Sequence, residues 1–227
     1  MIAENLAGIR RRVRDAALRS GRDPESIKIV AAAKGQEISK VREAVASGIG
    51  IIGDNYVREA QERKGLLSAP DVELHMIGHL QRNKAGKAVE LFNVVQTVDD
   101  VRLAEDLSRR AGAVGRTLGA MIQVNIGAEP QKSGIAAAET TGLVESVRSL
   151  PHIRLLGLMT MPPFFDDPEA ARPFFAGLRE IRDRLISTGT LTSDMNQLSM
   201  GMTGEFEAAI EEGATLVRIG TALFGPR

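Results

Sequence analysis

Residues 27–35 read IKIVAAAKG, and this stretch decides the fold. Five of the six residues from 29 to 34 are apolar, and the sixth is Lys34, at the very end. A short apolar run with β-branched residues is typical of a strand that is buried on both faces, as in a parallel sheet. Lys34 then lies where the strand leaves the core. It is either a surface residue whose stem packs along the protein or a partly desolvated, nucleophilic amine.

Seven further apolar segments follow the first, and helical patterns separate them. They are IGII (49–52), LHMIG (74–78), NVVQTVD (93–99), GAMIQVN (119–125), IRLLGLMT (153–160), MNQLSM (195–200) and TLVRIG (215–220). Strands that alternate with helices, such as the one predicted over 56–67, require a parallel sheet. Eight units fit a closed (β/α)8 barrel. We therefore predict an α/β protein with a single domain over 1–227, a TIM barrel with an extra N-terminal helix. An open doubly wound sheet is the alternative, but no G-x-G-x-x-G follows the first strand.

The composition excludes several classes of protein. The 227 residues contain 29 Lys+Arg and 29 Asp+Glu, so the net charge favours neither nucleic acid nor an anionic membrane. There is no cysteine, which excludes disulfides, thiolate metal sites and thiol catalysis. No apolar run approaches the roughly 18 residues that a membrane span needs. Acidic Glu4 and Asp15 interrupt the first helix, unlike a transit peptide. We expect a cytoplasmic monomer that binds neither nucleic acid nor a membrane.

The residues at the predicted strand ends are mostly polar. In a barrel these ends meet on one face, which is where active sites form. They are Lys34, Asn55, His79, Thr97, Asn125, Met159, Ser199 with Gly201, and Arg218 with Gly220. They contain no carboxylate pair for sugar hydrolysis. Of the three histidines in the chain, one, His79, lies at a predicted strand end. A metal site needs two or three ligands, so we expect no metal.

The last two strand-to-helix connections have the composition of phosphate-binding loops. They read SMGMTG (199–204) and IGT (219–221). Glycines let backbone N–H groups approach an anion, and hydroxyl groups add hydrogen-bond donors. Barrels that bind phosphate tend to do so after strands seven and eight, although either loop alone is compatible with an ordinary turn. A lysine opposite such loops suits an aldehyde that carries a phosphate, such as pyridoxal 5′-phosphate. A Schiff-base aldolase is the alternative, but it usually needs a second acid or base near the lysine.

The chain resembles the pyridoxal phosphate homeostasis proteins along nearly its whole length. The matching segments are VAAAK, IGDNYVREA, HMIGHLQRNK, IQVN with QKSG, LLGLMTM, LSMGMTGEFEAAI and TLVRIGTALFG. That family is similar to the barrel domain of bacterial alanine racemase standing alone. The resemblance implies that Lys34 carries pyridoxal 5′-phosphate as an internal aldimine, that Arg218 faces the ring nitrogen and that Asn55 lies near the phenolic oxygen. It also implies the following phosphate ligands: Ser199, Gly201, Thr203, Gly220 and Thr221.

Three positions depart from the family's usual residues. Gly35 follows the lysine where threonine is usual, Asp54 stands in place of glutamate, and SMGMTGE stands in place of SMGMS-x-D. We expect Gly35 to loosen the loop after Lys34, and the other two changes to preserve charge or hydroxyl.

Two functions compete, a pyridoxal phosphate carrier without catalytic residues and an amino-acid racemase. Racemisation needs a base on each face of the substrate α-carbon. In alanine racemase a second domain supplies one of them as a tyrosine, whereas the single tyrosine here, Tyr56, opens a barrel helix. A guanidinium such as Arg218 stays protonated, which leaves the ring nitrogen unprotonated and weakens the ring as an electron sink. The resemblance therefore favours a homeostasis protein with pyridoxal-dependent apoenzymes as transient partners.

Overall fold

The computed structural model describes residues 1–63, 65 and 72–226. Nine strands lie in the described chain: β1 (Lys28–Ala32), β2 (Ile51–Asp54), β3 (Glu73–Met76), β4 (Val94–Val98), β5 (Leu118–Asn125), β6 (Ile135–Ala136), β7 (Ile153–Met159), β8 (Gln197–Met202) and β9 (Leu216–Ile219). Eight of them form a closed parallel ring in the order β4-β3-β2-β1-β9-β8-β7-β5, because β4 also pairs with β5. The short strand β6 lies beside the end of β5. The predicted (β/α)8 barrel is confirmed.

Helices surround the ring. They are α1 (Ile2–Arg19), α2 (Ile38–Ala46), α3 (Val57–Glu62), α4 (Ala85–Leu91), α5 (Val101–Ala113), α6 (Thr140–Arg148), α7 (Arg172–Ser187), α8 (Phe206–Glu211) and α9 (Thr221–Phe224). The helix predicted over 56–67 is α3 in its first half, and most of its remainder lies outside the described residues. The last strand is followed by the short helix α9, which the sequence did not predict. The amphipathic α1 packs against α2, α8 and α9 and so completes the outer ring.

The barrel has two apolar layers separated by its strands. Side chains alternate between the two faces of a strand, so each strand contributes to both layers. A large cluster lies between strands and helices, and a smaller one fills the interior of the barrel. The interior cluster contains Val30, Ile51, Ile77, Val94, Met121, Leu156, Met159 and Leu216. Buried polar side chains share this interior: His75, Gln96, Ser199 and Arg218.

Candidate functional site

A cavity of about 570 Å³ opens at the carboxyl ends of the strands. Its walls come from the ends of β1 and β2, from the connections after β8 and β9, and from the Pro-rich segment after β7. Five of the predicted site residues line it: Asn55, Thr203, Arg218, Gly220 and Thr221. Lys34, Ser199 and Gly201 lie next to these residues in sequence or in space, but they do not line the cavity.

Arg218 presents a buried positive charge to this cavity. Its side chain is 3% exposed, and it donates to Ser199 Oγ at 2.7 Å and to the Thr160 carbonyl oxygen at 2.8 Å. Burial lowers the pKa of Arg218 to about 10, and the charge of Glu205 opposes the shift. The guanidinium therefore remains a cation at neutral pH. Both of its hydrogen-bond acceptors are neutral, and Glu205 on the same cavity wall is the carboxylate whose charge acts on it.

Ser199 and Gly201 lie behind the cavity wall. The Ser199 hydroxyl is fully buried, accepts from Arg218 and donates to Gln96 Oε1 at 2.6 Å, so both its hydrogen-bonding roles are already filled. Gly201 has φ +91°, and a Cβ there would lie 2.6 Å from the Cβ of Ala209. A glycine is needed for β8 to pack this closely on α8. In this structure Ser199 supports Arg218 and Gly201 shapes the connection, and their phosphate roles stay predictions.

The connection after β9 directs backbone donors at Thr203. The N–H groups of Gly220 and Ala222 point at Thr203 Oγ1, at 3.3 Å and 3.4 Å. Backbone N–H groups that converge at a helix start suit an anion, and here both of them donate to the Thr203 hydroxyl. Thr203, Gly220 and Thr221 thus form the polar wall of the cavity, on the side where the sequence predicts phosphate.

Lys34 occupies a tight turn that follows β1. The turn spans residues 33–36 and is closed by the Gln36 N–H, which donates to the Ala33 carbonyl at 3.0 Å. Gly35 is its third residue with φ +67°, which is the conformation that a type II turn requires there. The Gly35 N–H donates to Glu59 Oε1 at 3.1 Å. Gly35 thus takes a positive φ within a hydrogen-bonded turn, and its loosening effect stays a prediction.

Arg63 fastens the same turn from the opposite side. Its Nη2 donates to the carbonyl oxygens of Ala33 at 2.9 Å and Gln36 at 2.8 Å, while Nη1 forms a buried ion pair with Asp54. Burial raises the pKa of Asp54 to about 6, although the charge of Arg63 acts in the opposite direction. Asp54 is therefore ionised at neutral pH and holds Arg63 against the turn. This clamp was not predicted, because Asp54 and Arg63 meet only in the fold.

The Lys34 ammonium lies over Tyr56 at the rim of the site. Its Nζ is 5.4 Å from the centre of the Tyr56 ring, within the range of a cation–π contact. Tyr56 lines a second cavity of about 580 Å³, together with Asn55 and His79. Asn55 lines both cavities and so stands between them. Lys34 itself lines neither cavity in this conformation.

The segment after β7 contributes residues that the sequence did not predict. Met161, Pro163, Phe164 and Asp166 line one side of the cavity, and Phe164 is 88% exposed. Glu205 also lines it and accepts from the Met202 N–H at 3.0 Å. The signal for this wall was the Pro-rich run MPPFFDDPE directly after a strand. A run of this kind cannot continue a strand and has to cross the barrel mouth or leave it.

Other predicted strand-end residues stabilise loops. Thr97 Oγ1 donates to the Gly78 carbonyl at 2.8 Å. Asn125 donates to the Glu129 carbonyl at 2.8 Å and accepts from its N–H at 3.2 Å. Within the described residues no group of three or more His, Asp or Glu side chains is arranged to hold a metal ion. The described helices are also too short or too polar to cross a bilayer.

Comparisons with known proteins define the class of the chain. Residues 4–227 match the family described as "Alanine racemase, N-terminal domain". An alanine racemase from Clostridium difficile has the same fold, with a TM-score of 0.77 at 15% identity over all of this chain and 56% of the racemase. The chain therefore belongs to the alanine racemase N-terminal barrel family.

Closer relatives identify the branch of that family. A Pseudomonas aeruginosa protein named "Pyridoxal phosphate homeostasis protein" is 41% identical over 100% of this chain and 96% of its own length. The structure of PipY from Synechococcus elongatus "with PLP bound" has a TM-score of 0.84 at 34% identity over 99% of this chain and 100% of PipY. Within the class, the chain belongs to the pyridoxal phosphate homeostasis protein family.

Proposed function

We propose that this chain, as a single domain over 1–227, binds pyridoxal 5′-phosphate covalently at Lys34 and carries it without catalysing a reaction. The observation that supports this most strongly is the buried guanidinium of Arg218, which shares a cavity with the donors around Thr203. The bound cofactor in PipY, at 34% identity, supports the same ligand. The names of the relatives support a role in cofactor homeostasis.

The residues of the cavity fit the cofactor on three sides. Thr203 and the backbone of the connection after β9 suit the phosphate, since their N–H groups and hydroxyl converge. Arg218 suits the ring nitrogen as a hydrogen-bond donor, and Asn55 suits the phenolic oxygen. When bound, the cofactor supplies an aldehyde that condenses with amines and a ring that withdraws electrons. An arginine at the ring nitrogen limits that withdrawal.

Lys34 supplies the point of attachment. The amine of Lys34 would be the group that holds the aldehyde of the cofactor, so the turn that carries Lys34 has to keep this amine near the cavity. The clamp of Arg63 and the Gly35–Glu59 hydrogen bond fix the backbone of this turn. The flexible four-carbon stem then turns the amine from Tyr56 into the cavity.

The surroundings of Lys34 favour a carrier over a racemase. The only tyrosine of the chain, Tyr56, contacts the lysine itself and lines the neighbouring cavity. It is thus badly placed to act as a base on the opposite face of a bound amino acid. Of the carboxylates in the cavity, Glu205 is engaged by the Met202 N–H, and Asp166 lies in the exposed segment after β7.

The experiment is an absorbance spectrum of the purified protein with pyridoxal 5′-phosphate, before and after borohydride reduction, followed by peptide mass mapping. We expect a conjugated imine band, and an adduct fixed by reduction at Lys34. Lys34→Ala should remove the adduct and leave the fold intact, because this residue lies outside the packed core. Lys84→Ala is the matched control, since Lys84 lines the neighbouring cavity. An adduct on Lys84 or Lys132 would show that the site is misassigned.

The handling of the cofactor is a further part of the proposal. We infer a cytoplasmic monomer that releases pyridoxal 5′-phosphate to pyridoxal-dependent apoenzymes through transient contacts. Tyr56 and Phe164 lie on the walls of the two neighbouring cavities and are 54% and 88% exposed, and this open surface supports such release. Transfer is measured as the rate at which a pyridoxal-dependent apoenzyme recovers its activity, with an amine scavenger present to keep free cofactor scarce. This rate should be higher with the loaded protein than with an equal amount of free cofactor. Equal rates would contradict delivery, and sedimentation as a dimer would contradict the monomer.

A further inference from the structure

A continuous chain of side-chain hydrogen bonds crosses the interior of the barrel. Arg218 on β9 donates to Ser199 Oγ on β8 at 2.7 Å, and Ser199 donates to Gln96 Oε1 on β4 at 2.6 Å. Gln96 Nε2 lies 2.8 Å from His75 Nδ1 on β3. His75 Nε2 lies 2.9 Å from Glu73 Oε2, whose side chain is half exposed at the opposite end of β3. Arg218 lines the cofactor cavity, whereas Glu73 lines a cavity at the amino-terminal end of the barrel.

The donors and acceptors in this chain have only one consistent order. Arginine can only donate, so the Ser199 oxygen accepts from Arg218, and the Ser199 hydroxyl donates to Gln96 Oε1. The amide of Gln96 is thereby fixed, with its NH2 group directed at His75 Nδ1. Nδ1 must then be an unprotonated acceptor, which leaves the hydrogen on Nε2 to be donated to the Glu73 carboxylate. Each member therefore dictates the orientation of the next.

We propose that Gln96 and His75 are positioning residues for the cofactor ring, and that a proton on His75 Nδ1 weakens binding at the other end of the barrel. A proton there would face the NH2 group of Gln96 and force the amide to turn over. Ser199 would then face two donors, and its own buried hydrogen would be left without an acceptor. The hydroxyl would have to turn, which disturbs the support that it gives to Arg218. This inference rests on the proposed binding of pyridoxal 5′-phosphate and adds its regulation by pH.

The charges around His75 determine when it takes up this proton. Glu73 on β3 hydrogen-bonds to it, Lys28 on β1 repels its charged form, and the backbone partners on β2 and β4 are Gly53 and Val94. Arg154 on β7 acts on Glu73 from the next side, and Arg218 lies two side chains away. Burial lowers the pKa of His75, and Glu73 opposes this effect. The neutral form therefore prevails at pH 7, and the proton enters as the pH falls.

Three variants test the chain through the dissociation constant for pyridoxal 5′-phosphate between pH 5 and 8. Gln96→Leu removes both central hydrogen bonds and should weaken binding about tenfold at pH 8. The ratio to wild type should shrink as the pH falls, because protonation of His75 then disrupts the same chain in wild type. Gln123→Leu is the control, because Gln123 is an equally buried barrel glutamine that donates to the Ser133 carbonyl instead. His75→Asn keeps an acceptor towards Gln96 but cannot be protonated in this range. At pH 8 this variant should bind the cofactor as tightly as wild type does. At lower pH its affinity should fall less than that of wild type, because the contribution of His75 protonation is gone.

A readout without cofactor separates this inference from the proposed function. Nitrogen-15 NMR of the three histidines and of the Arg218 side chain in the ligand-free protein should show His75 as the neutral Nε2–H tautomer. Gln96→Leu should shift the Arg218 signal, and Gln123→Leu should not. A neutral Nδ1–H tautomer, an Arg218 signal indifferent to Gln96→Leu, or the same acid profile for His75→Asn and wild type would overturn the proposal. If the protein does not bind the cofactor but the NMR result is as expected, the proposed function is refuted and the chain of hydrogen bonds is still supported.

Discussion

At the scale of single residues, Gly35 stands where the family usually has threonine, and it adopts a backbone conformation that favours glycine. Its φ of +67° is costly for a residue with a Cβ, so Gly35→Ala should lower the free energy of unfolding by about 1–2 kcal/mol. Gly142→Ala is the matched control, since Gly142 lies in α6 with open space around it. Alanine there should stabilise the helix by about 0.5–1 kcal/mol. Equilibrium urea unfolding gives both values, and equal effects of the two changes would contradict the strained turn.

Replacing Thr203 and replacing Ser199 should affect ligand binding in different ways. Ser199 lies within β8 and Thr203 directly follows it. Thr203→Ala removes a donor beside the proposed phosphate and should cost roughly 1.5–3 kcal/mol of binding to pyridoxal 5′-phosphate, with little effect on pyridoxal. Ser199→Ala acts through Arg218 and should weaken the two ligands by the same factor. Titrations with both ligands measure the ratio. A Thr203→Ala variant that weakens pyridoxal equally would argue against the phosphate assignment.

At the scale of elements, the clamp between β2, α3 and the turn after β1 should depend on pH. The folded-state pKa of Asp54, about 6, lies above its ordinary value of 3.8, so this carboxyl binds a proton more readily in the folded protein. Its contribution to stability is therefore fully present below about pH 4 and is lost as the pH rises through about 6. The difference in unfolding free energy between wild type and Asp54→Asn should fall over this range and be flat above it. A difference that rises with pH would contradict the assigned direction.

The elements themselves were predicted where the sequence pattern is continuous. All eight barrel strands were found, because each is an apolar run in a chain that alternates with helical periodicity. The seventh predicted strand, 195–200, lies at Gln197–Met202, a shift of two residues at a polar start. Strand β6 has two residues and helix α9 has four, too few to show any periodicity. Their existence depends on pairing with β5 and on packing against α1, neither of which is a local property.

At the scale of the whole molecule, we expect that the barrel does not racemise amino acids. Proton removal by Lys34 could only return the proton to the same face, because Tyr56 contacts Lys34 and is not across the cavity. We expect slow exchange of the α-proton with retained configuration in deuterated water, at a rate near that of free cofactor. Several L- and D-amino acids should be tested with the loaded protein. Inversion on the order of 1 s⁻¹ or faster would overturn the carrier assignment.

The site was predictable only in part, because it depends on how distant strands are aligned. Five predicted residues line the cavity, since strand ends converge in any barrel. The sequence does not show that Ser199 faces Gln96 or that Arg63 reaches the turn around Lys34. The first contact depends on how the strands are aligned, and the second depends on a side chain that reaches from the end of α3 to the turn. His75 and Gln96 were seen only as positions within strands, because burial and partners are set by the closed ring.

The pairing of β1 with β9 has a consequence for protein synthesis. Lys34 follows the first strand and Arg218 lies on the last, yet these strands are neighbours in the ring, with Val30 opposite Arg218. A growing chain therefore displays its lysine long before the guanidinium leaves the ribosome. At roughly 5–20 residues per second the interval is about 10–40 s. Throughout it the nascent chain has an amine but no cradle, so we expect cofactor loading at Lys34 only after β9 has emerged.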